Sequence, residues 1–129
     1  MNINQYVNTK EWMHSNRIVR QLQLREVSDF DKMEQDEALF EMFYNVGGFY
    51  EGLGVLVREN LIDVRLIAEM SSGAILGWWA KFGPGVVKCR EAWKFPRYCI
   101  EIEYLAKRIE EYGKEHTELG VAPSLAIQN

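Results

Sequence analysis

Glu51 is the residue in this 129-residue chain with the clearest chemical potential: it stands alone among uncharged neighbours from Met42 to Val57. A carboxylate among apolar side chains needs a partner, because losing its water costs several kcal/mol and would otherwise raise its pKa. Arg90 and Lys81 are the cations placed to supply one, and the indole of Trp79 is a further donor on the same segment as both. The stronger expectation is a buried ion pair that fixes helix register. The functional alternative is a small pocket with Glu51 as acid or base and Arg90 as anion clamp. A second candidate is the stretch 88–98, where Lys88, Arg90, Lys94 and Arg97 interleave with Trp93 and Tyr98. Bases alternating with aromatic rings can hold a phosphate backbone; the plainer reading is a solvated helix end with its rings turned inwards.

Other motifs fail on context. Glu11-Trp12-Met13-His14 has the Glu-x-x-His spacing of di-iron bundles, but such sites need two such pairs and two further glutamates. The chain has only two histidines, so no metal site is expected. Cys89 and Cys99 lack the paired short spacings of a zinc site, and nothing marks either as an activated nucleophile. Gly52-Leu53-Gly54 opens like a dinucleotide fingerprint, but Val57 occupies the third glycine position and no strand precedes it. No cofactor is expected.

The elements that must position these residues are helical. Leu39, Phe43, Val46, Tyr50, Leu53 and Val57 step by four, three, four, three, four, one face of a 3.6-residue helix. Phe40, Met42, Phe49 and Leu56 make its other faces apolar, which predicts a central helix over residues 36–60, buried on several sides. Its four glycines, 47, 48, 52 and 54, cost about 0.5–1 kcal/mol each against alanine and imply close approach of another helix. The small-x-x-x-small pairs Gly48/Gly52 and Gly73/Gly77 suggest that the crossing partner is the helix carrying the second pair.

Thr9 is the expected cap of a first helix running to about residue 25, followed by a turn or single helical turn at 28–31. Asp63 caps a short third helix, and Ser71-Ser72-Gly73 punctuates. Ile75, Trp79, Phe82, Val86, Cys89 and Trp93 keep phase across Gly83-Pro84-Gly85, which predicts one helix kinked at Pro84 rather than two. A last helix is expected over 98–116, with residues 1–8 a loose lead-in and 117–129 a mobile or draped tail. The fold class is therefore all-α, a single-domain bundle of four or five helices.

Composition narrows the function classes. A hydrophobic content of 47% excludes whole-chain disorder. The net charge of −4 gives no general attraction to nucleic acid or anionic membrane. Charge is uneven all the same. Residues 26–41 hold seven acids against Lys32, and residues 81–108 hold seven bases against three glutamates. No secretory signal and no integral membrane segment are read, and two cysteines do not make a disulfide framework, so a reducing cytoplasm is expected.

Phe49-Tyr50-Glu51, Leu61-Ile62-Asp63, Ile75 with Trp79, Pro84, Arg90 and Ile102-Glu103-Tyr104-Leu105 together resemble a widespread prokaryotic family of uncharacterised short all-helical proteins. The resemblance covers about residues 35–108. Members of that family often follow an N-terminal membrane anchor, which this chain is read as lacking. It implies a helical fold and no known activity. The leading functional expectation is a non-enzymatic interaction module that self-associates or binds a protein partner. A pocket at Glu51 and Arg90 is the first alternative, and phosphate or nucleic-acid binding by residues 88–98 the second.

Overall fold

The computed structural model describes residues 9–121, and among them the chain forms five α-helices and no strand. These are α1 (Lys10–Arg20), α2 (Val27–Gln35), α3 (Glu37–Arg58), α4 (Val64–Ala92) and α5 (Ile100–Glu115), followed by a single 3-10 turn at Thr117–Leu119. The expected lead-in 1–8 and residues 122–129 of the expected tail lie outside the described residues. Helix starts follow local chemistry. Thr9 accepts from the Trp12 N–H at 3.2 Å, Asp36 from Leu39 at 3.2 Å and Asp63 from Arg65 at 2.9 Å, each satisfying a backbone donor with no partner inside its helix.

Two boundaries differ from the periodic pattern. α1 stops at Arg20 instead of continuing to about residue 25, because the Lys81 ammonium of α4 takes the Arg20 carbonyl and Leu24 is drawn into the core. Residues 28–31 belong to a nine-residue helix, α2, in which Asp29 accepts from the N–H groups of Arg25 and Glu26, both at 2.9 Å. Buried Phe30 and Met33 anchor it. Val64–Ala92 is two helical segments joined across a kink at Ser71 (φ −146°, ψ 20°), within the expected Ser71-Ser72-Gly73 punctuation. The second segment runs through Pro84, and the non-helical dihedrals lie at Ser71 and not at the proline. The glycines flanking Pro84 are notches for packing. A β-carbon on Gly83 would strike the Trp79 ring, and one on Gly85 would strike Phe30 and the Leu24 carbonyl.

The core forms where the predicted stripes meet. Phe43, Val46, Tyr50, Leu53 and Val57 of α3 are buried, with α1, α2 and α5 packed around that helix. α5 also lies along α4, presenting Ile102, Leu105 and Ile109. Phe43 stacks on Trp78 (centroids 5.6 Å apart) and meets Phe82 edge-on at 5.5 Å, joining α3 to α4 through side chains. Burying each such ring contributes about 1.5–3 kcal/mol.

The close backbone crossing is not the one expected. Gly48, Gly52, Gly73 and Gly77 all face open space, whereas a β-carbon on Gly54 would collide with the carbonyl of Glu101 in α5. The crossing partner of α3 is therefore α5, and one glycine of the four permits it. No described helix is long and apolar enough to cross a membrane.

Candidate functional site

Of the four residues expected to converge on one polar site, Arg90 and Trp79 lie together, whereas Glu51 and Lys81 take other partners. Glu51, half-buried on α3, accepts the Ile102 N–H through Oε1 at 2.8 Å. Ile102 is the third residue of α5, where backbone donors have no partner within the helix. The residue preceding α5, Cys99, has a left-handed backbone (φ 56°) and gives no side-chain cap. Glu51 supplies that cap from a neighbouring helix. Burial pushes its carboxyl above the ordinary range, and the Ile102 N–H pulls partly the other way.

Arg90 makes no ion pair with Glu51 among the described residues, although its charge is near enough to pull the Glu51 carboxyl down. Its Nε donates to the Tyr98 carbonyl at 2.7 Å and its Nη1 to Glu103 at 2.9 Å, closing the turn between α4 and α5. Its guanidinium lies 5.7 Å from the Trp79 ring centroid, a cation–π distance. Burial pushes the Glu103 carboxyl up, but hydrogen bonds from Arg90 and Lys107 outweigh that and hold it below the ordinary value. Lys81 reaches the α1 terminus, donating to the Arg20 carbonyl. Among the described residues Glu51 enters no ion pair: the start of α5 takes the acid and the end of α1 takes Lys81, each terminus carrying backbone groups without a partner inside its helix.

The basic stretch divides in the same way. Lys88 pairs with Glu26 at 2.7 Å and Arg90 is turned inwards, while Lys94 and Arg97 are exposed in the turn before α5. His14 is exposed, and no group of His, Cys, Asp or Glu among the described residues is arranged to hold a metal. Burial raises the thiol pKa of Cys89 to about 11 and of Cys99 to about 12, so neither carries thiolate near neutrality.

One polar partnership gave no sequence signal. Glu101 is 7% exposed, and both its carboxylate oxygens accept from Arg58 Nε, at 2.9 and 3.1 Å. An acid in a first helical turn and a base in a last one look like ordinary dipole complements. Only the Gly54 crossing brings them together.

What the fold assembles around Glu51 is an apolar cavity of about 220 Å³ between α3 and the α4–α5 turn. Phe43, Trp78, Tyr98 and Ile102 line it together with Gly47, Gly48 and Cys99. Tyr44 and Phe95, 43% and 50% exposed, line it too, as does Arg97. Trp78 is buried, and its indole N–H has no hydrogen-bond partner among the described residues. The arrangement can hold an apolar group; Glu51, committed to a backbone N–H, is poorly placed to move protons.

No curated protein and no solved structure matches the chain. A family model described as a domain of unknown function, DUF4760, matches residues 3–109, a longer span than the motifs in the sequence suggest. The chain belongs to that family.

Proposed function

We propose that the protein is a non-enzymatic interaction module that seats one apolar side chain of a protein, a second copy or a different chain, in the cavity beside Tyr44 and Phe95. The supporting observation is that cavity of about 220 Å³ with two exposed rings among its lining residues. A dry cavity of about 150 Å³ accepts benzene, and small-molecule sites usually occupy about 300–1,000 Å³. The size therefore suits one aromatic or branched side chain. The catalytic alternative at Glu51 and Arg90 is disfavoured, since Glu51 caps Ile102 and Arg90 is held through Nε and Nη1 by the Tyr98 carbonyl and Glu103. Phosphate-backbone binding by residues 88–98 is disfavoured by the Lys88–Glu26 pair and the inward Arg90. The free thiols of Cys89 and Cys99 suit a reducing cytoplasm.

A photo-crosslinking benzophenone side chain in place of Phe95 tests this reading in the native host. A discrete crosslinked protein is expected. Gly48→Leu, which fills the cavity from a position facing open space, is expected to abolish the crosslink while the chain stays folded. Light scattering against concentration separates self-association from a different partner. Absence of any crosslink, or a crosslink indifferent to Gly48→Leu, overturns the proposal.

A further inference from the structure

A second, more polar recess lies between the C-terminal half of α1 and the middle of α4, with a volume of about 500 Å³. Gly73, Ala74 and Gly77 line it on α4, and a β-carbon added at either glycine would meet nothing within 4 Å. Arg20 and Lys81 line it as well, as does Asn16 of α1. An adjoining recess shares Asn16 and Arg20 and adds Arg17. No aspartate or glutamate lines either one, although the chain has 19 acids against 15 lysines and arginines. Arg17 and Arg20 enter no ion pair among the described residues.

Part of this charge serves the fold. Arg17 and Arg20 sit in the last turn of α1, and Lys81 donates to the Arg20 carbonyl, which is where a helix terminus favours cations. That terminus is equivalent to about half a negative charge. Three cations exceed it by more than two charges, and Lys81 keeps further N–H donors beyond the one it spends there. Two of the three, Arg20 and Lys81, line the cleft itself and Arg17 the recess beside it; no acidic side chain lines either, and the cleft's size falls within the small-molecule range. Exposed glycines on α4 leave room for a flat body to lie against the helix backbone.

We propose that this cleft is a binding site for a small organic phosphate, its phosphate held by Arg20 and Lys81 and its planar body resting over Gly73 and Gly77. A doubly charged phosphate matches the cation excess better than a monocarboxylate does, and Arg–phosphate contacts are charge-assisted and directional. The site is separate from the apolar cavity, with which it shares only Trp78 among its lining residues.

Isothermal titration calorimetry on the full chain at low ionic strength tests this with phenyl phosphate, inorganic phosphate and benzoate. Phenyl phosphate is expected to bind saturably and tighter than the other two, and to weaken as salt is added. Arg20→Gln is expected to weaken it roughly tenfold, the loss of one charge-assisted contact. Lys81→Met also frees the end of α1, so the second variant is Gly77→Leu, which fills the cleft from a position with open space around it and improves helix propensity. It is expected to abolish binding with the thermal midpoint kept or raised. The proposal is overturned if phenyl phosphate does not saturate, if benzoate binds as tightly, or if saturation survives both substitutions.

Discussion

Glu51 makes a specific claim about stability, because what it caps and what its burial costs have opposite signs. Glu51→Ala removes the acceptor of the Ile102 N–H and is expected to cost about 1 kcal/mol in urea denaturation, the usual value of a helix cap. Glu51→Gln keeps a carbonyl acceptor and removes the desolvated charge, so its stability at neutral pH should equal or exceed that of the wild type. The native pKa of Glu51 is raised above the ordinary 4.5, so the folded state binds more protons than the unfolded chain between those two values. Its contribution to stability therefore rises as pH falls through the native pKa. The advantage of Glu51→Gln should shrink over that interval and vanish below pH 4.5. Glu103 has a lowered pKa and behaves oppositely: its contribution is present above the unfolded value and is lost as pH falls through the native one. Urea titrations of wild type, Glu51→Gln and Glu103→Gln across acid pH separate the two. Equal slopes for all three would contradict the assignment.

At the scale of elements, α3 tests what its glycines are for. Only Gly54 faces backbone, the Glu101 carbonyl of α5, so Gly54→Ala must push the two helices apart. The expected loss is about 1–3 kcal/mol, typical of overpacking. Gly52→Ala, with nothing within 4 Å of the new carbon, should gain about 0.5–1 kcal/mol from helix propensity and a less flexible unfolded chain. Thermal midpoints of the pair read both, and two losses of similar size would refute the distinction. The same crossing holds Glu101 against Arg58. Arg58→Met should therefore destabilise the protein, and adding Glu101→Gln should recover part of the loss by removing a carboxylate left without its cation.

Across the whole molecule the helices are unequally secured. α3 and α5 each pack against at least two other helices, whereas α1 packs mainly on α3, burying Trp12, Ser15 and Val19. Trp12 meets Phe49 and Tyr50 edge-on at 5.0 and 5.8 Å. Native-state hydrogen exchange should show α1 opening at lower free energy than α3. Trp12→Ala should lower global stability by about 3–5 kcal/mol and expose α1 first; protection of α1 equal to that of α3 would contradict this.

Much of that architecture is legible in the order of residues. The steps from Phe43 to Val57 and from Ile75 to Trp93 announce which faces are buried, and Thr9, Asp36 and Asp63 mark where helices begin, because side-chain periodicity and capping are local properties of a chain. The short reach of α1 and the existence of α2 are less legible, since each depends on a contact distant in sequence, the Lys81 ammonium on Arg20 in one case and Phe30 against Gly85 in the other. The partners of the polar groups were decided by tertiary structure alone. A helical pattern shows that Glu51 points inwards, but a carboxylate accepts equally from a guanidinium or a bare backbone N–H. Which of these it meets depends on the single glycine that lets α5 cross α3, and on the left-handed Cys99 that leaves the start of α5 without a cap of its own.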